Sequence, residues 1–160
     1  MADLEHPFRA NYLLSGSSPE EVFAALLDVR RFSEWAVGLH RLRALDAASR
    51  TEVSEVRQAG TLLEFTLSAA GLTHRVLSTV TVVEPPRRLE WRYAEGAVGS
   101  GGWLVEEAGP GTVRMTLSTD YEIRPAWLNR IAHRPFFRRI TEDLLRRSIR
   151  RFGEHLREGQ

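Results

Sequence analysis

The sequence contains neither cysteine nor lysine, and all 22 of its basic residues are arginine. Without cysteine, the chain has no disulfide framework, thiol nucleophile or thiolate metal site. Without lysine, Schiff-base catalysis and the lysine of a phosphate-binding loop are excluded as well. The five histidines show no metal-ligand spacing with one another, and the sequence has no zinc-protease motif. We therefore expect no bound metal and no cofactor.

Long apolar runs are also missing. No segment approaches the roughly 18 consecutive apolar residues of a membrane span. The N-terminal residues MADLEHPFRANY lack the basic start and apolar stretch of a secretory signal. The sequence therefore predicts a cytoplasmic protein, and its 160 residues predict one domain over positions 1–160.

A first helix is predicted to begin after Ser18. This serine and Glu21 have the spacing of a capping box, in which each side chain bonds the other residue's backbone N–H. Pro19 suits the first helical position, where its missing N–H costs nothing. A shorter helical piece is predicted at residues 31–35, ending near Gly38.

Residues 40–123 are predicted to be strands separated by turns, and apolar and polar side chains alternate within the strands. Three apolar sets share one parity: Leu63, Phe65 and Leu67; Leu89, Trp91 and Tyr93; and, with a gap at Thr119, Val113, Met115, Leu117, Tyr121 and Ile123. Such sets lie on one face of a strand. The pattern predicts an antiparallel sheet that is covered on one side only.

A long amphipathic helix is predicted from about Pro125 to Leu156. Pro135 interrupts it, so residues 125–133 are predicted to be a separate turn or short helix. A sheet that is interrupted early by one helix and followed by another tends to wrap around the last helix. That arrangement leaves an internal cavity where the facing side chains do not fill it.

The charge is distributed unevenly along the chain. Residues 124–160 contain ten Arg and four acidic residues, whereas residues 1–123 contain twelve Arg and seventeen acidic residues. One hypothesis is binding of nucleic acid or an anionic membrane surface. The favoured interpretation is a solvated, salt-bridged face, because acids are interspersed and no aromatic residue interleaves with the arginines on the polar face. We expect no nucleic-acid partner.

Several short segments together resemble a known family. Residues 18–23 (SPEEVF), followed by Asp28, Phe32 and Trp35, resemble the opening of the START/Bet v 1-like (SRPBCC) superfamily, in particular its polyketide cyclase/dehydrase-like branch. Residues 84–91 (EPPRRLEW) are similar to that family's turn between two long strands, and residues 111–113 (GTV) resemble the start of its last strand. These are turn and core residues, so they are informative about fold rather than activity.

The resemblance implies an α+β helix-grip fold. In it a curved antiparallel sheet of about seven strands wraps around a long C-terminal helix, and two short helices follow the first strand. It also implies a cavity for a lipid, polyketide or similar apolar molecule. The leading hypothesis is binding or transport of a hydrophobic small molecule, and the second is a cyclase or dehydratase of polyketide type. Whether the protein is a monomer or a homodimer stays open.

The candidate ligand-binding residues are mainly aromatic and apolar side chains on the inward faces. They are Trp35, Leu63, Phe65, His74, Trp91, Tyr93, Trp103, Tyr121, Trp127, Phe137 and Ile140. Large rings supply contact area, and an indole or phenol adds a directional hydrogen bond. The competing interpretation of the same residues is ordinary core.

His74 is the one candidate catalytic residue. It alternates in phase with Leu72 and Val76, so its ring is predicted to face the apolar side. There it orients a ligand, transfers a proton, or serves as a hydrogen-bonded wall residue, and the last role is favoured. Three glutamates, at positions 52, 55 and 64, are weaker acid–base candidates, and Glu64 is expected in solvent.

The glycine-rich residues 96–102 (GAVGSGG) invite comparison with a phosphate-binding loop. They lack the Gly-Lys-Ser/Thr ending, and a strand rather than a helix is predicted to follow. We predict a flexible hairpin that gates the cavity.

Overall fold

The computed structural model describes residues 8–69, 71–132 and 134–158. The elements are β1 (Phe8–Ser15), α1 (Pro19–Leu27), a 3₁₀ helix (Val29–Glu34), β2 (Leu39–Leu45), β3 (Glu52–Val53), β4 (Leu62–Ala69), β5 (Leu72–Glu84), β6 (Arg88–Glu95), β7 (Ala97–Gly109), β8 (Thr112–Ile123), α2 (Ala126–Ala132) and α3 (Pro135–Glu158). This is the predicted α+β order, with two short helices after the first strand and a break before α3. No described helix combines the length and apolarity that a membrane span needs.

All the described strands join one antiparallel sheet. Their order is β1-β8-β7-β6-β5-β4-β2-β3, so β4 to β8 form a meander. β1 pairs with β8, and the two helical segments then carry the chain across to the opposite edge. The helix-grip prediction is confirmed. The sheet has eight strands, including a two-residue β3, where about seven were expected.

The structure shows one of the two hydrogen bonds of the predicted capping box at α1. The Ser18 side chain accepts a hydrogen bond from the Glu21 backbone N–H at 3.2 Å, and Pro19 is the first helical residue. Val22, Phe23 and Leu26 are buried. The cap fixes where the helix begins, and the buried stripe fixes which side faces the sheet.

The C-terminal half of α3 closes the core. Ile149, Phe152 and Leu156 are buried, and the Phe152 ring lies 4.6 Å from the ring of Trp35. The Ser148 hydroxyl accepts from the Val37 N–H at 2.8 Å and donates to a carbonyl one turn earlier in α3. These contacts join α3 to the segment that follows the 3₁₀ helix.

The glycine-rich residues 96–102 are strand rather than the predicted flexible hairpin. Only Gly96, whose φ is +82°, lies outside a strand, and β7 pairs with β8 from Ala97 onward. A Cβ on Gly101 would lie 2.7 Å from Cζ2 of Trp91, because that indole ring packs across the glycine. The glycine is therefore required by close ring packing, a need that composition alone does not reveal.

Candidate functional site

A cavity of about 360 Å³ lies between the sheet and α3. Alternate residues of β4, β5, β6 and β8 form one wall, and side chains from the 3₁₀ helix, α2 and α3 form the other. The lining is predominantly apolar. Leu72, the first residue of β5, borders the cavity and is 38% exposed.

Most of the candidate residues meet at this cavity. Those that border it are Trp35, Leu63, Phe65, His74, Trp91, Tyr93, Trp103 and Tyr121. Trp127 and Ile140 are not among the described lining residues, and Trp127 is 57% exposed on α2. Phe137 lies within α3, but its side chain is outside the part of the chain that the structure describes.

Sequence reasoning missed several lining residues. Ser78 and Thr119 border the cavity, as do Leu128 and Ile131 of α2. Alternation from His74 along β5 reaches Ser78, and alternation from Leu117 along β8 reaches Thr119. The signal was therefore present for both strand residues, although neither is apolar. No periodic signal identified the inward face of the short α2 helix.

His74 is anchored in the cavity wall. Its Nε2 lies 2.7 Å from the Gly96 carbonyl oxygen, which also accepts the Arg124 backbone N–H at 3.0 Å. A carbonyl only accepts, so Nε2 carries the proton. In the neutral ring, Nδ1 is therefore the nitrogen that can accept a further hydrogen bond. The favoured wall role and a ligand-orienting role are both compatible with this geometry.

A second polar pair crosses the sheet. The Tyr93 hydroxyl lies 2.8 Å from Oγ1 of Thr119, although β7 runs between their strands. Gly99 and Gly101 lie on β7 opposite Tyr121 and Thr119, so no β7 side chain blocks the approach. Thr119 Oγ1 in turn donates to a β7 carbonyl at 3.4 Å, which makes Tyr93 the donor to Thr119. The phenol oxygen keeps the capacity to accept.

Two buried polar atoms beside the cavity have no hydrogen-bond partner among the described residues. They are the Ser78 hydroxyl oxygen and the Trp35 indole nitrogen, Nε1. The two residues are 1% and 3% exposed. Burying such a group unpaired costs roughly 1–3 kcal/mol, and unpaired buried groups are rare in folded proteins.

The candidate glutamates lie away from the cavity. The Glu64 carboxylate accepts hydrogen bonds from Arg43 at 2.8 Å and from Arg75, and these bonds lower its pKa. A general acid at neutral pH needs the opposite shift. Glu55 pairs with Arg57 at 2.6 Å, and Glu52 is exposed. Among the described residues, no three His, Asp or Glu side chains come together as metal ligands.

Comparison with known proteins agrees with this fold. A family model described as "Polyketide cyclase / dehydrase and lipid transport" matches residues 16–157. A protein from Thermus thermophilus is similar in structure, with a TM-score of 0.75 and 16% identity over 97% of this chain and 99% of that one. No curated protein sequence gives a significant match.

Two further similar structures are named for a superfamily or for an enzyme activity. A START superfamily protein from Mycobacterium smegmatis has a TM-score of 0.69 and 10% identity, over 97% of this chain and 99% of its own. The Zhui aromatase/cyclase from Streptomyces sp. R1128 has a TM-score of 0.69 and 14% identity, over 95% of this chain and 94% of its own. At these identities the likeness shows a shared fold.

Proposed function

Because this chain belongs to the polyketide cyclase/dehydrase and lipid transport family, we propose that it binds a hydrophobic small molecule between the sheet and α3. The observation that carries this proposal is the apolar cavity of about 360 Å³. That volume falls within the range of small-molecule sites. An empty apolar cavity forfeits dispersion contacts along its lining, and an occupant restores them.

The unpartnered polar atoms narrow the chemistry of the ligand. Trp35 Nε1 is a donor only and is fully buried, so after a small movement of the ring its complement would be an acceptor oxygen such as a carbonyl or hydroxyl. The Ser78 hydroxyl suits either a donor or an acceptor. We therefore propose a mostly apolar molecule with one or two oxygen functions, held between the rings of Trp91 and Trp103 and the aliphatic residues of β4.

Native mass spectrometry of the protein purified from its own host tests this proposal first. We expect a bound mass that solvent extraction releases as an apolar, oxygen-bearing compound. The extracted protein should then take up an apolar fluorescent dye, and the compound should displace it. A protein that carries nothing and takes up no dye would contradict the proposal.

A matched pair of variants locates the binding site. Leu67 borders the cavity. Thr66, the residue before Leu67, lies on the opposite face of β4. We expect Leu67→Trp to reduce dye uptake by partly filling the cavity, and Thr66→Trp to leave uptake close to wild type. If the two substitutions change dye uptake equally, the dye binds outside the cavity.

A second candidate function is a cyclase or dehydratase acting on a polyketide-type chain. The observation that favours it is the position of His74 and Tyr93 in an otherwise apolar wall. In this hypothesis Nδ1 of His74 accepts a proton from the substrate, and the Tyr93 hydroxyl turns its proton from Thr119 to the substrate oxygen that gains charge. His74→Ala and Tyr93→Phe should then keep ligand binding and lose turnover. Unchanged turnover in His74→Ala removes this residue from the mechanism.

A further inference from the structure

Residues 124–141 form a basic corner that contains no acidic residue. This stretch, called the α2–α3 corner below, includes five arginines and no Asp or Glu. The remainder of α3, residues 142–158, has five arginines together with four acids. The charge asymmetry of the chain is therefore concentrated where α2 meets α3.

The α2–α3 corner also exposes aromatic side chains. Five large hydrophobic side chains are exposed in the described part of the chain, and the two aromatic ones, Trp127 and Phe136, both lie here. They are 57% and 65% exposed. The expected solvated, salt-bridged face describes the later part of α3, where Arg147 pairs with Asp143. It does not describe the α2–α3 corner, where aromatic residues alternate with arginines.

The orientation of α2 explains the exposure of Trp127. Leu128 and Ile131 turn inward and border the cavity, which leaves Trp127 and Arg130 toward solvent. Three exposed arginines of the corner, Arg130, Arg134 and Arg139, form no ion pair with any carboxylate that the structure describes. Their charge is therefore not neutralised locally, unlike that of Arg124, which pairs with Glu122 at 3.5 Å.

We propose that the α2–α3 corner docks the protein on an anionic lipid bilayer. Exposed Trp and Phe side chains suit the boundary between headgroups and acyl chains. Unpaired arginines suit lipid phosphates and the negative potential of an acidic leaflet. Apolar residues of α2 border the cavity on their inner side, so the same short helix lies between a bilayer and the cavity interior. This surface goes beyond the proposed ligand binding and does not depend on the identity of any ligand.

Vesicle binding tests how much the arginines of the α2–α3 corner contribute to membrane affinity. The probes are vesicles of phosphatidylcholine alone, or of phosphatidylcholine mixed with phosphatidylglycerol. We expect binding to the mixed vesicles that weakens as salt increases. At about 1 kcal/mol per arginine near an acidic surface, R130Q/R134Q should weaken binding roughly thirty-fold. The matched control R150Q/R151Q removes the same charge from the mixed-charge part of α3 and should change binding less than about two-fold.

Trp127 supplies an independent readout of the docking face. Vesicles with brominated acyl chains should quench the tryptophan fluorescence of the wild-type protein, because Trp127 enters the interface while the other three tryptophans border the cavity. Trp127→Phe should keep most of the binding and lose most of the quenching. This pattern does not require that the cavity be occupied.

Three results would overturn the proposal. The first is an equal loss of vesicle binding in R150Q/R151Q and R130Q/R134Q. The second is undiminished quenching in Trp127→Phe. The third is tighter binding to duplex DNA than to acidic vesicles at the same salt concentration, which would assign the basic surface to nucleic acid. A failure of ligand binding in the cavity, by contrast, would leave these measurements unaffected.

Discussion

Two buried serines beside the cavity differ in a way that predicts opposite responses to the same substitution. The Ser148 hydroxyl accepts from the Val37 N–H and donates within α3, whereas the Ser78 hydroxyl has no described partner. Ser148→Ala should destabilise the fold by about 1–2 kcal/mol, because it leaves a part-buried N–H unpaired. Ser78→Ala should leave stability unchanged within roughly 0.5 kcal/mol or raise it.

Urea unfolding of the two variants measures the difference. The serines are both under a tenth exposed, at 7% and 1%, so simple burial predicts similar effects. A large destabilisation by Ser78→Ala would mean that its hydroxyl has a partner in the folded protein. In the presence of an oxygen-bearing ligand, Ser78→Ala should lower affinity even though the free protein is not destabilised.

A second pair of substitutions tests glycine packing. Gly101→Ala places its Cβ 2.7 Å from Trp91, so the indole must move, and we expect a loss of about 1–3 kcal/mol. Gly153→Ala in α3 meets only Leu14, at an ordinary 3.5 Å, and the end of the Arg157 side chain. Because alanine favours a helix over glycine, that variant should be more stable by about 0.5–1 kcal/mol. Thermal or urea unfolding measures the stability of both variants. A Gly101→Ala protein more stable than the Gly153→Ala protein would contradict the described packing.

Among the elements, the outer face of the sheet contains an ion cluster that spans three strands. Glu64 of β4 bonds Arg43 of β2 and Arg75 of β5, and these bonds hold the pKa of Glu64 below its usual range. A lowered pKa in the folded state stabilises the fold above the unfolded pKa of about 4.3. That contribution is lost as pH falls through the folded pKa.

Glu64→Gln should therefore destabilise the protein at pH 7. Because both arginines are partly exposed, the expected effect is only about 0.5–1 kcal/mol. The difference from wild type should persist down to about pH 5 and shrink below about pH 4. Glu107→Gln is the control, since that exposed carboxylate has no ion pair among the described residues. A constant difference across the acid range would contradict the pKa argument.

The element order was predictable because its signals are local. Ser18, Pro19 and Glu21 define the start of a helix, and Leu63, Phe65 and Leu67 define one face of a strand, whatever the rest of the chain does. The function of Gly101 was not predictable, because its partner Trp91 becomes a neighbour only when β6 pairs with β7. The exposure of Trp127 was not predictable either, because a seven-residue helix is too short to show a clear apolar period.

For the whole molecule, ligand binding and stability should be linked. A ligand that binds only the folded state stabilises it by about 2.7 kcal/mol at a concentration one hundred times Kd. In a chain of this size that corresponds to a rise in Tm of roughly 5–10 °C. Thermal denaturation before and after solvent extraction, and again after the extracted compound is restored, measures the change. An unchanged Tm would show that the compound does not bind the folded protein.

The Gly96 carbonyl has a consequence that extends beyond the cavity wall. It accepts both the Nε2–H of His74 and the backbone N–H of Arg124, the residue that precedes Pro125 and α2. One oxygen atom thus anchors a cavity side chain and the entry to a surface helix. Any molecule that displaces the His74 ring removes one partner from this anchor, and any contact that shifts the start of α2 removes the other. If displacing the His74 ring changes the strength of the Arg124 bond, linkage requires that a shift of α2 change the His74 bond by the same free energy.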